Sequence, residues 1–360
     1  MKIYIYTECP SKFYFNAIYQ IPKIQVELID SKILYNLMIK LNNRSKLLRY
    51  IRYKLTGKKA VYKNEPTFKQ IIKSLIIPIE MLFTNKPIIL FFAPYGKDIY
   101  YMYLLKLLGK NITYMTSWPN WSGLRYAKPS SKFRRVIWHQ FINGTKCVAI
   151  TKRAAEHVAK RKGIVYHIPH SIDTKFFHPI RHKKNQTFNI LSVGRTVKAK
   201  GIIDILKISK FYSNIEFRFA GEGELDNLIK SKEQELPVKH YGLVKDKMKL
   251  LDLYTTADIF ILNSYSVFNW EELFGIVLLE AMASGVPVIT TDCIGPKEII
   301  QDGKNGYLIP QRNKKELKRR IDKLLKNKRL RDKFAKNGRK TVVEKYDSKK
   351  VAKLWMQALK

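Results

Sequence analysis

Apolar residues in this chain gather in short runs that close on glycine, proline or a small polar residue. Between the runs, apolar positions recur three and four apart. The runs Lys2–Tyr6, Ile88–Phe92, Ile112–Met115 and Cys147–Ile150 are rich in β-branched and aromatic residues and predict strands. The second closes on Ala93-Pro94-Tyr95-Gly96, the third on Thr116-Ser117-Trp118-Pro119. Tyr101, Leu104, Leu105, Leu107 and Leu108 mark a helix stopping at Gly109; Ala154, Val158 and Ala159 mark another that begins at Thr151. Tyr166–Asp173 reads as a further short strand and turn.

After the polar, basic stretch Ile180–Gln186 the alternation starts again. Phe188–Val193, Ile215–Ala220, Val238–Tyr241, Ile259–Leu262, Pro287–Thr290 and Gly306–Ile309 predict strands. Gly201–Phe211, the stretch from Gly223 to Lys230, Met248–Tyr254 and Ile276–Ala283 predict helices, and basic helices run on from Asn313. Strands alternating with helices imply parallel sheets with crossover helices. At 360 residues the chain is too long for one ordinary core. The prediction is an α/β chain of two Rossmann-like, doubly wound domains facing a central cleft. They cover residues 1–184 and 185–344, with 345–360 packing back on the first. Ligands of such sheets sit outside the carboxyl ends of the strands, near the point where strand order reverses.

Composition narrows this picture. The hydrophobic fraction of 46% places the chain among globular proteins. Cys9, Cys147 and Cys293 are too few and too scattered for a disulfide framework or a metal cluster, and suit a reducing compartment. Glu8 interrupts any signal-peptide core, and Ile71–Phe92 is broken by Lys73, Pro78, Glu80, Lys86 and Pro87, so no simple spanning helix is expected. The net charge of +39, from 68 Lys and Arg against 29 Asp and Glu, favours polyanions: nucleic acid, anionic lipid or phosphorylated substrates. Drift toward A/T-rich codons is the competing explanation, since Ile, Asn and Tyr are also abundant. Lys32–Lys59 interleaves Arg44, Lys46, Arg49, Arg52 and Lys54 with Leu34, Leu37, Leu41, Leu48 and Ile51. Two readings stay open for it: a basic amphipathic helix on an anionic membrane, or a core-facing helix with a solvated back.

Two stretches carry candidate chemistry. Trp270–Val288 sets Glu272 and Glu280 on either side of Phe274-Gly275 and a short helix. Gly275 permits close backbone approach, and the helix it opens offers unpaired N–H groups to an anion. Glu280 falls among apolar positions, where a carboxylate needs a partner; a pair of ribose hydroxyls or a surface salt bridge would each satisfy it. The second stretch, Val193-Gly194-Arg195-Thr196-Val197-Lys198-Ala199-Lys200-Gly201, puts two cations between a strand end and a helix start. That arrangement can clamp a diphosphate, or it can be an ordinary charged loop in a basic chain.

Glu272, Phe274, Gly275, Glu280, Ala281, Met282, Ala283, Gly285, Pro287 and Val288 fill every fixed place of Glu-x-Phe-Gly-x4-Glu-Ala-Met-Ala-x-Gly-x-Pro-Val. This stretch resembles the Glu-x7-Glu signature of the family 4 retaining glycosyltransferases. Gly194, Arg195, Lys200 and Gly201 resemble that family's Gly-Arg-x4-Lys-Gly element, and Gly221-Glu222-Gly223 its Gly-x-Gly loop. Leu243-Val244, Ala257-Asp258 and Asn263-Ser264 stand where the family binds the base. The resemblance covers Phe188 to about Lys349 and is thinner before that.

The resemblance implies a GT-B fold and transfer of a sugar, with retention, from a nucleotide diphosphate sugar to an acceptor hydroxyl. Arg195 and Lys200 would hold the diphosphate, Glu272 and the Phe274–Gly275 backbone the donor sugar, and Glu280 the ribose, with Gly194 and Gly221 near the nucleotide. Arg195, Lys200 and Glu272 are the catalytic candidates. The donor is a co-substrate, with no separate cofactor and no metal expected; the acceptor is a sugar or a lipid-linked sugar. The work of the family suggests glycolipid or surface-polysaccharide assembly in the cytoplasm, at the inner membrane face, with Lys32–Lys59 on the anionic surface. The chain departs from the family where Thr7–Lys12 replaces a Gly-Gly loop and Thr116-Ser117-Trp118 replaces a His. His139 and His170 are the nearest alternatives, each with a structural reading as well. The rival classes are a basic nucleic-acid-binding protein, for which no recognition module appears and no nucleic-acid partner is expected, and a non-catalytic scaffold of the same fold.

Overall fold

The computed structural model describes residues 1–8, 11–31, 68–118, 131–180, 187–268 and 270–360. Cys9, the basic segment Lys32–Lys59 and the boundary at 184/185 lie outside the described residues. Two six-stranded sheets, every pairing in them parallel, make up the strand framework. The first has β1 (Lys2–Thr7), β2 (Gln25–Asp30), β3 (Ile88–Phe91), β4 (Ile112–Thr116), β5 (Lys146–Ala149) and β6 (Ile164–His167) in the order β2-β1-β3-β4-β5-β6. The second has β7 (Phe188–Val193), β8 (Ile215–Ala220), β9 (Val238–His240), β10 (Ile259–Leu262), β11 (Val288–Thr291) and β12 (Tyr307–Ile309) in the order β12-β11-β10-β7-β8-β9. Strand order therefore reverses between β1 and β3 in one sheet and between β7 and β10 in the other. The α/β doubly wound architecture read from the sequence is the one found.

Local chemistry explains most element boundaries. The central strands β3 and β10 are buried on both faces, which is why each reads as an unbroken apolar run. Ser131, Thr151, Asp246 and Asn313 each accept a backbone N–H at the start of the helices Lys132–Ile142, Lys152–Ala159, Lys247–Thr255 and Lys314–Lys326. Among the elements that the sequence pattern does not signal are three in the N-terminal half. β2 is an edge strand with only Ile29 and flanking positions well covered, so its apolar signal is weak. The helices Phe68–Phe83, with Pro78 inside it, and Lys132–Ile142 carry apolar residues on their outer as well as their inner faces, which blurs the 3.6-residue period. Among the described residues no helix is long and apolar enough to cross a membrane.

The chain returns to the first sheet at its end. Ile172 N–H donates to Tyr346 O at 3.0 Å, and Ser348 N–H donates to Ile172 O at 2.9 Å. From there the helix Ser348–Ala358 packs on the 3-10 turn Ile18–Gln20. Trp355 and Leu359 join one core with Ile3, Ile5 and Phe15 of the N-terminal half and Leu278, Met282 and Val342 of the C-terminal half. A second tie crosses the cleft, where both carboxylate oxygens of Glu298 accept the N–H of Lys152, at 2.8 and 3.0 Å. The two sheets are thereby held with their strand ends toward each other.

Candidate functional site

The loops after β7, β8 and β10 meet at the strand-order reversal of the second sheet. They meet backbone to backbone. Gly221 has φ +148°, and a Cβ there would lie 1.8 Å from the carbonyl oxygen of Gly194. Gly201 has φ +69°, and a Cβ there would lie 2.1 Å from the carbonyl oxygen of Asn263. Side chains lock this arrangement. The Thr196 hydroxyl and the Gly223 N–H both donate to Asp226 Oδ1, the second at 3.1 Å. His240 Nε2 lies 3.2 Å from Gly221 O and 3.3 Å from the same Asp226 oxygen. Asn263 Nδ2 donates to Gly201 O at 3.3 Å, and Tyr265 N–H to Ala199 O at 2.9 Å.

Two cavities open on these loops. One, about 240 Å³, is lined by Val193, Leu243, Val244 and Leu250 together with Gly194, Gly221 and Glu222, and is mainly apolar. The other, about 300 Å³, lies between the two halves. Its C-terminal wall is Lys200, Trp270, Glu272 and the turn Phe274–Val277; its N-terminal wall is Tyr14, Ser117 and His170. Arg195 lines both cavities and joins them.

In the larger cavity the Lys200 ammonium donates to Glu272 Oε2, with each side chain only 12% exposed. The Ser264 hydroxyl donates to the same oxygen at 3.2 Å. The Trp270 ring lies 5.2 Å from Lys200 Nζ and 5.8 Å from the Arg195 guanidinium, so one aromatic ring holds both cations. The neighbouring acid also lines this cavity but is engaged by the next loop. Glu271 is buried and accepts the N–H of Ile294 at 3.0 Å, pinning the next loop. Gly275, with φ +86°, opens the helix Ile276–Ala283, whose first residues face the cavity. That helix start places backbone N–H groups and a positive dipole end beside Arg195 and Lys200.

His170 sits between the halves. Its ring is 5.0 Å from Phe274, edge to face, and 5.3 Å from Tyr14. Burial pulls its pKa down to about 4, and a bond to the Tyr14 backbone opposes that only in part. The imidazole is therefore neutral near pH 7. His139 lies elsewhere, in a hollow with His157 and Arg161.

Of the residues singled out in the sequence, Gly194, Arg195, Lys200, Gly221, Glu272, Phe274 and Gly275 all line one or both cavities. Glu280 lines neither. Its carboxyl is buried in the helix Ile276–Ala283 and accepts the Tyr254 hydroxyl at 2.7 Å, and burial raises its pKa to about 7. Sequence reasoning missed Trp270, Tyr254 and Tyr14 as parts of the arrangement. Trp270 stands two places before Glu272 and could have been found from the motif; Tyr254 and Tyr14 arrive only through the fold.

Two parallel, doubly wound sheets facing a cleft, with the loops of the second carrying paired cations, define the GT-B class of glycosyltransferase folds. HepE of Anabaena, solved with UDP, matches over 100% of this chain and 99% of its own at a TM-score of 0.70 with 13% identity. A glycosyltransferase from Rickettsia africae ESF-5 matches over 99% and 97%, at a TM-score of 0.69 with 15% identity. Residues 173–341 match the family model for glycosyl transferases group 1. Among curated relatives, the capsular polysaccharide biosynthesis glycosyltransferase CapM of Staphylococcus aureus is 30% identical over 171 residues, covering 46% of this chain and 43% of CapM. The poly(ribitol-phosphate) alpha-N-acetylglucosaminyltransferase of Staphylococcus aureus is 28% identical over 184 residues, covering 48% and 36%. The chain thus spans less than half the length of these curated relatives.

Proposed function

We infer that the chain transfers a sugar, with retention, from a nucleotide diphosphate sugar to an acceptor hydroxyl. The observation that carries this reading is the placing of Arg195 in both cavities, with Lys200 and Glu272 beside it in the larger one. The smaller, apolar cavity suits a base, the Arg195 junction a diphosphate, and the larger cavity a sugar. UDP in the HepE structures makes uridine the first base to try.

The reaction separates charge. As the bond from the anomeric carbon to the phosphate oxygen breaks, the carbon gains positive and the diphosphate negative charge. Arg195, Lys200 and the N–H groups at Gly275–Val277 stabilise the departing diphosphate; we assign that compensation to them rather than to a divalent ion. Lys200 engages Glu272 in this structure, so an arriving diphosphate competes for the ammonium and frees the carboxylate for sugar hydroxyls. Glu280, which the resemblance gives to the ribose, reaches neither cavity and keeps its bond from the Tyr254 hydroxyl, so it has no donor contact in this reading. The new bond forms from the acceptor oxygen on the face the diphosphate leaves, and the acceptor proton passes to the leaving phosphate. No strong side-chain base is then needed. The acceptor is read as a sugar or lipid-linked sugar in polysaccharide or glycolipid assembly at the cytoplasmic membrane face, with Lys32–Lys59 against the anionic surface. CapM, named for capsular polysaccharide, supports that setting.

Thermal-shift screening against nucleotide sugars identifies the donor. With it, Arg195→Ala and Lys200→Ala should each lower turnover roughly 10²- to 10³-fold while the thermal midpoint of the free protein stays. Unchanged turnover in either variant would overturn the assignment.

A further inference from the structure

The helices Phe68–Phe83, Ile99–Leu107 and Lys132–Ile142 lie side by side over one face of the N-terminal sheet. Ile77, Met81, Met102, Leu105, Trp138 and Phe141 from their inner sides share one core with β1, β3 and β4. The Tyr101 hydroxyl donates to Pro78 O at 2.6 Å, and the Lys106 ammonium to Gln140 O and Phe141 O at 2.8 Å, so each helix is fixed to its neighbour.

Their outer sides are also apolar. Leu75, Ile76, Ile79 and Phe83, at helical spacing on the first helix, are 50–78% exposed. Leu104 and Leu107 continue the surface on the second helix, and Phe133 and Val136 on the third. Tyr100 and Phe133 stack across the last two, with centroids 6.4 Å apart. The solvent side of a helix on a globular domain is normally polar. Apolar side chains standing out together on three adjacent helices are the mark of a surface that is covered in use.

Charge selects the cover. Residues 1–184 hold 34 Lys and Arg against 8 Asp and Glu, which is +26 of the +39. From residue 81 to 155 Asp98 is the one acid against twelve Lys and Arg. Lys86, Lys97, Lys132 and Arg135 are exposed around the apolar surface. A second copy of the chain would set two faces of the same sign against each other. An anionic bilayer accepts both parts, the apolar side chains at the acyl boundary and the cations among the lipid phosphates.

We propose that the outer face of these three helices docks the protein on an anionic lipid bilayer. Lys132–Ile142 follows β4, and Ile99–Leu107 follows β3, so Tyr100 and Phe133 lie at the end of the sheet that faces the cleft. Docking there sets the cleft mouth beside the lipid headgroups. This surface is made of residues outside Lys32–Lys59 and does not depend on how the donor is bound.

The test is co-sedimentation of the full chain with vesicles of phosphatidylglycerol and phosphatidylcholine, and with phosphatidylcholine alone, at about 0.1 M salt. The native chain should bind the anionic vesicles and bind the neutral ones far more weakly. The variant Ile79→Glu/Leu104→Glu/Phe133→Glu changes exposed side chains only, so its circular dichroism and thermal midpoint should match the native chain, while its partition falls about tenfold or more. A second variant, Lys326→Gln/Lys333→Gln/Lys336→Gln, removes three exposed charges from the C-terminal half and should keep most of the binding. The proposal fails if the native chain leaves anionic vesicles unbound, or if the triple Glu variant binds them as the native chain does. It fails equally if the Gln variant alone loses binding. A native dimer that the Glu variant converts to monomer, without vesicle binding, would make the face a contact between copies and also overturn it.

Discussion

On the C-terminal wall of the cleft backbone meets backbone, whereas on the N-terminal wall side chain meets side chain. Gly221 against Gly194 and Gly201 against Asn263 leave no room for even a methyl group, and the bonds through Thr196, Asp226 and His240 hold those contacts. Across the cleft Tyr14, Ser117 and His170 present rings and a hydroxyl from three separate strand ends. A wall built from backbone contact tolerates almost no substitution and carries a recognisable motif. A wall built from side chains can change its residues while keeping its shape. On the proposed function, the first suits a ligand part common to many enzymes, the nucleotide diphosphate, and the second the part that differs, the acceptor.

The largest expected effect tests the backbone wall. Gly221→Ala must push the loops after β7 and β8 apart, and should weaken UDP binding by about 100-fold or more in titration calorimetry. Gly109→Ala in the N-terminal half also meets a positive φ, +65°, but nothing within 4 Å, and should cost only about 1–2 kcal/mol of stability. Equal UDP affinity in native and Gly221→Ala protein would remove the distinction between the walls.

His170→Ala comes next and probes the other wall. Turnover should fall about tenfold, near 1.4 kcal/mol, with the UDP dissociation constant unchanged. A loss of UDP affinity as large as the loss of turnover would show that the walls act as one.

Two smaller effects concern the buried pair behind the C-terminal wall. Tyr254→Phe takes away the hydroxyl that donates to Glu280 Oε2 and should lower stability by about 1–3 kcal/mol, read from urea midpoints. Burial holds the Glu280 carboxyl at about 7, against 4.5 for an ordinary glutamate. The unfolded chain thus releases this proton at lower pH than the native chain does. Stability should therefore fall as pH rises from about 4.5 to about 7 and level off above, and Glu280→Gln should remove that slope. The urea midpoint of the variant relative to the native chain should rise between about pH 5 and pH 8; a flat difference would show that the carboxyl is not buried as described.

The same contrast governs what could be read in advance. Arg195 and Lys200 lie within one loop, and Glu272, Phe274 and Gly275 within one turn, so their juxtaposition is largely local and a sequence motif holds it. The helix Phe68–Phe83 read only as an apolar stretch too broken to span a membrane, because residues on both its faces are apolar. Glu280 was visible as a carboxylate needing a partner, but Tyr254, 26 positions away, had no local signal.

By itself the sequence determined the alternation of strand and helix, the turn chemistry at the strand ends and the cations and carboxylates of the second half. Each of these follows from propensity and spacing over a few residues. Only the tertiary structure decided that β7 and β10 are neighbours, that Arg195 stands between two cavities, that His170 packs between Tyr14 and Phe274, and that apolar side chains on three N-terminal helices are exposed together. Periodicity tells which side chains avoid water, but which of them find cover depends on elements that come together from far apart in the chain.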